Sequence, residues 1–453
     1  MSVHAKRTAP FGASSPPREP LPGAGDLVSA AEVAYPAPHH YLESVGAPAL
    51  ESALAERPAE APLAVKVRLP FCRHACRFCA SQCVPSRDSR QAEPYLSRLD
   101  REMVLARRRL AGLPAVTRLH WGGGTPTFLA LDQMSDLFDR LDARLGLSGA
   151  RERDFSIELD PREADMLTLR HLQALGFNRL HLGVQELDSR VQQAINRIQP
   201  RALTEALVDE ADRLGFRELT LSLMLGLPLQ TPQGLADTLD QVIGMAPARI
   251  RLHRYDHRPE RHLAQRAIHR DWLPDAATRR RLLAEARGRL DAAGYVHIGL
   301  GLFARGDDRL AQARASGTLG HGPLGFTQDT AGDLLGLGMG ATSRIGELWV
   351  RNTDSLTGYE GALDASRLPT ARGIRLTADQ QRHRATLEAL LCGRSIDPAP
   401  LSTGADLEML CAEGLVDLSA GRVALTAEGH WRLPRLLAVL SVPPTCLSAP
   451  PSP

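Results

Sequence analysis

The sequence predicts an α/β fold, a partial (β/α)6 barrel with a small, mostly helical C-terminal domain. Three observations carry this. Six short segments rich in β-branched and other apolar residues recur between residues 64 and 255. Helical periodicity fills the gaps, and several helical stretches end at Gly, the usual C-terminal cap. After about residue 370 the rhythm stops, and helices surround one short hairpin. Strands that alternate with helices imply right-handed crossovers and a parallel sheet, whose ligands sit at the carboxyl ends of the strands.

In chain order, residues 1–24 are rich in Pro, Ala, Gly and Ser and read as a disordered tail, followed by a lead-in over 25–63. The barrel core spans 64–305. Its strands are expected at AVKVRL (64–69), VTRLHW (116–121), DFSIEL (154–159), RLHLGV (179–184), ELTLSLML (218–225) and RIRLHRY (249–255). Helices are expected at 93–113, where Leu96, Leu99, Met103, Leu105 and Leu110 fall at roughly helical spacing, and at 131–146, 165–176, 203–215, 232–245 and 276–294. A barrel extension and linker occupy 306–369, a helical C-terminal domain 370–440, and a second Pro-rich tail 441–453.

A formal net charge of +2 and 23% charged residues give no reason to expect nucleic acid or a membrane surface as partner. The hairpin at VDLSAGRVAL resembles a wing, but no basic stripe accompanies it. The N-terminal residues lack the apolar run of a secretory signal, and no apolar stretch is long enough to span a bilayer. Seven cysteines, an odd number, give no even disulfide framework. A cytoplasmic protein with reduced thiols is expected.

Four of those cysteines crowd into LPFCRHACRFCASQC, Leu69 to Cys83. Cys72, Cys76 and Cys79 follow the first strand with the spacing C-x3-C-x2-C. Such a loop can place three thiolates at three corners of an iron–sulfur cubane and leave one iron open. With Cys83 included, four ligands for zinc are the rival, although structural zinc usually draws its ligands from two separated knuckles. Unrelated thiols are the third possibility. Gly122, Gly123 and Gly124 end the second strand, where missing Cβ atoms allow close approach of a ligand or merely a turn. Glu158 and Asp160 end the third strand, as site carboxylates or as rim charges. RLHRYDHRPERHLAQR (251–266) concentrates Arg251, Arg254, Arg258, Arg261 and Arg266 with His253, His257 and His262, a basic rim for an acidic substrate or a solvated face.

The cysteine spacing, with Phe78 before the third cysteine, resembles the signature of radical S-adenosylmethionine (SAM) enzymes. HWGGGTPTFL (120–129), IELDPRE (157–163), GVQELDSRVQQAINRIQP (183–200), LGLPLQTP (225–232), LFARGDD (302–308), DLLGLGMGATSRIG (333–346), RGIRLT (372–377) and EGLVDL (413–418) are similar, in order and spacing, to the oxygen-independent coproporphyrinogen III oxidase (coproporphyrinogen dehydrogenase) family. The resemblance implies a [4Fe–4S] cluster on Cys72, Cys76 and Cys79. It also implies SAM positioned by Gly123, Gly124, Thr125, Glu158, Gln185 and Arg197, with Glu158 the catalytic candidate. The implied reaction is oxidative decarboxylation of coproporphyrinogen III, or a related tetrapyrrole, in heme biosynthesis. An electron donor and an acceptor would be needed, both unidentified, and the enzyme would be a monomer.

The chain also departs from the family. Lys66 and Arg68 replace the Tyr and His of the family's lead-in, and Ser81 replaces a fourth cysteine, with Cys83 two residues later. Ser222 replaces an aspartate on the fifth strand, and Gly301 and Leu302 replace a polar pair. The family's N-terminal active-site run survives only as AYP (34–36). These departures leave two alternatives open: a paralogue using the same chemistry for methyl transfer or cyclopropanation, and a non-catalytic heme-binding or delivery protein.

Overall fold

The computed structural model describes residues 35–432 and residue 436, apart from 115, 148–152, 329–331, 398–403 and 420. The expected tails at 1–24 and 441–453 lie outside the described residues. Helix α1 (Ala47–Glu56) leads into strand β1 (Leu63–Leu69), and the two-residue strands β2 (Phe71–Cys72) and β3 (Val84–Pro85) clasp the cysteine loop. Four further turns of the α/β rhythm follow: α2 (Glu93–Arg107), β4 (Val116–Gly123), α3 (Leu131–Leu145), β5 (Asp154–Leu159), α4 (Met166–Ala174), β6 (Arg179–Gln185), α5 (Ser189–Ala194), α6 (Arg201–Arg213) and β7 (Glu218–Leu225). Helix α7 (Pro232–Gly244) and strand β8 (Arg249–Arg254) complete the expected parallel run β1-β4-β5-β6-β7-β8.

Alternation within each strand decides which side faces the helices. On β1, Val65, Val67 and Leu69 are buried outward while Lys66 and Arg68 take the opposite face; on β8, Ile250 and Leu252 do the same against Arg251 and His253. Trp121, Phe155 and Phe177 join this outer core, with Trp121 and Phe177 ring centroids 4.9 Å apart. Full burial of each such side chain is worth about 1.5–3 kcal/mol, so the apolar layer lies between sheet and helices and leaves the lumen to polar groups.

Helix α8 (Ala276–Ala292) leads to β9 (Tyr295–Gly299) and β10 (Leu302–Arg305), and β10 pairs antiparallel with β8. After α9 (Arg309–Ala315) and the small hairpin β11 (Gly320–Gly322) and β12 (Gly325–Thr327), strand β13 (Asp333–Leu337) returns to lie parallel to β1. Strands β14 (Thr342–Ile345), β15 (Leu348–Asn352) and β16 (Thr370–Arg375) continue antiparallel, with α10 (Leu356–Asp364) before β16. The sheet therefore has twelve strands in the order β16-β15-β14-β13-β1-β4-β5-β6-β7-β8-β10-β9.

Much of the segment expected as extension and linker is thus sheet. Residues 370–375, expected to open the C-terminal domain, are its edge strand. The helical unit begins at α11 (Ala378–Leu391), capped by the Thr377 side chain, and adds α12 (Gly404–Ala412), the hairpin β17 (Val416–Ser419) and β18 (Arg422–Leu425), and α13 (Ala427–Trp431). Leu390, Leu410, Leu415 and Val423 form its own core.

Candidate active site at the mouth and lumen of the barrel

The cysteine loop leaves β1 through Pro70 and is pinned by backbone bonds: Val84 N–H donates to Pro70 O at 2.6 Å, Ser86 N–H to Cys72 O at 3.0 Å and Arg77 N–H to Ile195 O at 2.9 Å. Asn196 Nδ2 donates to Ala75 O and Gln265 Nε2 to Phe78 O, so residues far along the chain hold the loop's outer turn. Cys72 and Cys76 are buried and Cys79 half-buried, all as free thiols. Two guanidinium groups face the Cys76 sulfur, Arg162 Nη2 at 3.2 Å and Arg197 Nη1 at 3.4 Å, complementary to a ligating thiolate. Cys83, left unassigned by the sequence, has its thiol beside both Cys72 and Cys79. Hydrogen bonds from Cys83 hold Cys72 below the ordinary thiol value and Cys79 down to about 6. Among the described residues no three His, Cys, Asp or Glu side chains sit close enough to hold a single metal ion. A cubane, which bridges its thiolates across several atoms, does not need them to.

The glycine run at the end of β4 has a different first task from the one expected. Gly124 N–H donates to Leu69 O and Thr125 N–H to Phe71 O, each at 2.7 Å, which stitches the run to the cysteine loop. A Cβ on Gly124 would lie 2.4 Å from Phe71 O, and Gly123 has φ +113°. Only glycine fits both positions. The Thr125 hydroxyl then lies 3.5 Å from the Cys72 sulfur.

Glu158 accepts from Gly123 N–H at 3.1 Å and contacts His120 Nε2 at 3.3 Å, while His120 Nδ1 meets Ser156 Oγ at 2.9 Å. Its side chain is 45% accessible although strands surround it, because that surface faces the lumen. Burial opposes its charge, but His120, Lys66 and the Gly123 N–H together hold it well below the carboxylate range. Asp160 accepts from Arg162 Nη2 at 2.6 Å and Arg197 Nη1 at 2.7 Å, and these pairs outweigh burial to bring it to about 2.

Arg197 is only 5% exposed. Its terminal nitrogens are occupied by Asp160, Cys76 and the Gly183 carbonyl, which leaves Nε as a buried donor without a partner. Gln185, at φ 70°, likewise has a buried Oε1 without a partner. These two orphaned atoms at the mouth, one donor and one acceptor, fit the carboxylate and ammonium of an amino-acid ligand.

The structure thus brings all the predicted residues to one end of the barrel: Cys72, Cys76, Cys79, Gly123, Gly124, Thr125, Glu158, Gln185 and Arg197. It divides the basic segment 251–266. Arg251 and His253 lie inside the lumen, whereas Arg258 pairs with Asp256 and Arg266 donates to Pro259 O outside it. His120, His181 and Arg162 belong to the site and were not singled out from the sequence. The i, i+2 spacing of His181 with Arg179 on β6 was their available signal.

A thiol triad of this spacing on a parallel partial barrel, with carboxylate and amide groups at the strand ends, defines a radical SAM protein. The family model described as the radical SAM superfamily matches residues 67–242. The chain is 37% identical over 419 residues to the oxygen-independent coproporphyrinogen III oxidase of Pseudomonas aeruginosa, covering 89% of this chain and 91% of that one. It is 36% identical to the Escherichia coli oxidase, over 87% of this chain and 89% of its relative. The solved structure of coproporphyrinogen III oxidase (HemN) from Escherichia coli, described as a radical SAM enzyme, superposes with a TM-score of 0.84 at 34% identity, covering 90% of this chain and 96% of that one. The chain belongs to the oxygen-independent coproporphyrinogen III oxidase family. Its cofactors are those of the family, a [4Fe–4S] cluster and SAM.

Proposed function

We propose that this chain decarboxylates two propionates of coproporphyrinogen III oxidatively, giving the vinyl groups of protoporphyrinogen IX without oxygen. The observation that carries this reading is the thiol triad held at the barrel mouth in a chain that matches the oxidases over nearly their whole length. Cys72, Cys76 and Cys79 would hold the cluster, and Arg162 and Arg197 would balance the charge of the Cys76 thiolate. Gly123, Gly124 and Thr125 would shape the floor for SAM. Glu158, ionised at neutral pH, would accept from its ammonium, and Gln185 Oε1 and Arg197 Nε would help hold the methionyl end. When bound, the cluster and SAM supply a 5′-deoxyadenosyl radical able to take a hydrogen atom from a propionate β-carbon. Loss of CO2 and one electron from each propionate completes the vinyl group, so an electron acceptor is required besides the donor that starts the cycle. No helix among the described residues is long and apolar enough to cross a membrane. The reading includes a cytoplasmic monomer.

The test is an anaerobic incubation of the reconstituted protein with SAM, a chemical reductant and coproporphyrinogen III, followed by mass spectrometry. Loss of two CO2 from the substrate together with 5′-deoxyadenosine is the expected result. Deoxyadenosine with an unaltered tetrapyrrole would keep the radical chemistry and sink the substrate. Tight heme binding with no deoxyadenosine would sink the enzyme altogether.

A further inference from the structure

Arg251 has no part in the roles above. It stands in the middle of β8 on the lumen face, and among the described residues it makes no ion pair and no hydrogen bond. The neighbouring arginines of the lumen are paired: Arg249 with Glu218 at 2.5 Å and Asp308 at 2.9 Å, Arg179 with Asp154 at 2.5 Å and Glu218 at 2.8 Å. Burial and then Arg249 bring Arg251 down to about 10 against the more distant carboxylates of Glu218 and Glu158, so it stays charged at neutral pH. A half-buried lumen cation with no carboxylate in direct contact keeps its guanidinium donors free for an anionic ligand.

Strand register identifies what is missing. Arg251 lies opposite Ser222 of β7 on one side and Leu302 of β10 on the other. In-register neighbours present their side chains to the same face at close range. Ser222 and Leu302 are two of the positions where this chain lacks polar groups of the family it resembles, so two separate departures flank one uncompensated guanidinium. Around it stand His253 and His321, each held near 4 by burial and then by Arg251, and His181, held well below its ordinary value by burial and His120. All three are neutral imidazoles, which bring N–H donors to the lumen without competing charge.

We propose that Arg251, with His181, His253 and His321 around it, forms a carboxylate-binding subsite within the barrel lumen that takes one propionate of the tetrapyrrole and orients the macrocycle. The identity of that carboxylate rests on the function proposed above. The other source of the same chemistry is the methionyl carboxylate of SAM.

The test uses the anaerobically reconstituted holoprotein and equilibrium binding of three probes: coproporphyrin III (the stable tetracarboxylate), its tetramethyl ester, and SAM. The variants are Arg251→Gln, Arg251→Lys and Ser222→Asp, the last supplying an internal carboxylate while leaving Arg251 in place. Iron content and melting temperature identify any variant that has lost the fold. Arg251→Gln and Ser222→Asp are expected to weaken coproporphyrin III binding by about tenfold or more, as loss of a charged hydrogen bond does. Arg251→Lys should lose less, ester affinity should hold, and SAM affinity should hold in the two Arg251 variants. Weakened SAM with unchanged porphyrin binding overturns the propionate assignment and leaves a SAM-carboxylate subsite. If neither ligand responds in folded variants, the subsite itself is overturned. A wild-type protein that binds SAM but no coproporphyrin III defeats the functional reading, and the SAM measurements then decide the subsite alone.

Discussion

Glu102 of α2 lies outside the site yet bears on it. It is fully buried, and its carboxylate accepts from Gly338 N–H at 2.8 Å, Tyr359 O–H at 2.7 Å and Asn352 Nδ2 at 2.6 Å. Burial still pushes it from 4.5 up to about 7 against those three donors. A carboxyl raised on folding contributes stability that is fully present below its unfolded value and lost as pH climbs through its folded one. That contribution is therefore expected to fall between pH 4.5 and 7, against the rise contributed by histidines buried as neutral imidazoles, so the stability difference between wild type and Glu102→Gln, compared by calorimetry across that window, should shrink as pH rises. The same variant should cost about 1–3 kcal/mol at acid pH, since an amide cannot accept from all three donors. At the cluster, Cys72→Ala, Cys76→Ala and Cys79→Ala should each strip iron from the reconstituted protein, while Cys83→Ala keeps it; iron and sulfide analysis would show whether Cys83 stands in as a ligand. The cysteine triad was legible because four of seven cysteines crowd into Leu69 to Cys83, and the resemblance to the radical SAM signature chose a cluster over zinc. The lumen face of β8 was not, although RIRLHR alternates strictly: with Ile250 and Leu252 committed to the helices, Arg251 and His253 had to face inward.

Among the elements, the joint between β4 and the cysteine loop is the least tolerant. Gly124→Ala puts a methyl 2.4 Å from Phe71 O, and since the atoms in its way are backbone of Leu69, Pro70 and Phe71 something must shift. The expected outcome is a cost of about 1–3 kcal/mol in unfolding and a larger loss of bound iron, because the shift is delivered to Cys72. Asp160→Asn tests the clamp between β5, the Arg162 turn and Arg197. It leaves two enclosed guanidinium groups with only the Cys76 sulfur as a charged partner, for about 3–5 kcal/mol by chemical denaturation. The six parallel strands were legible from their apolar alternation, since each is backed by helices. Strands β14 to β16 were not, because TSRI, LWVRN and TARGIR carry arginine and glycine into short antiparallel pairs that lack the apolar density of a buried strand.

Across the whole molecule, an aromatic contact helps fasten the C-terminal unit to the barrel, beside Leu391 and Cys392 of α11 in the cluster around Ile298 and Leu302 and the Arg287–Glu428 pair at 3.3 Å. Trp431 stacks on His297 of β9 with centroids 3.9 Å apart, lies 5.6 Å from Phe303, and carries the Arg287 guanidinium 4.5 Å over its ring. Trp431→Ala should cost about 3–5 kcal/mol and make α11–α13 the first segment released in limited proteolysis, with iron content unchanged. A sequence read from one end cannot foresee this docking, which depends on a tryptophan meeting a histidine on the far edge of the sheet.

Strand β1, which launches the cysteine loop, is flanked by β4 on one side and by β13 on the other. During synthesis the first neighbour emerges soon after β1, but the second appears only once the other parallel strands of the barrel have been made. At roughly 5–20 residues per second that interval is on the order of tens of seconds. Throughout it the loop hangs from a strand with one edge bare, and Met339, which anchors the end of β1 through Tyr95 and Arg68, does not yet exist. Iron delivery therefore belongs after β13 has emerged, to a chain whose last parallel strand has already closed over its first.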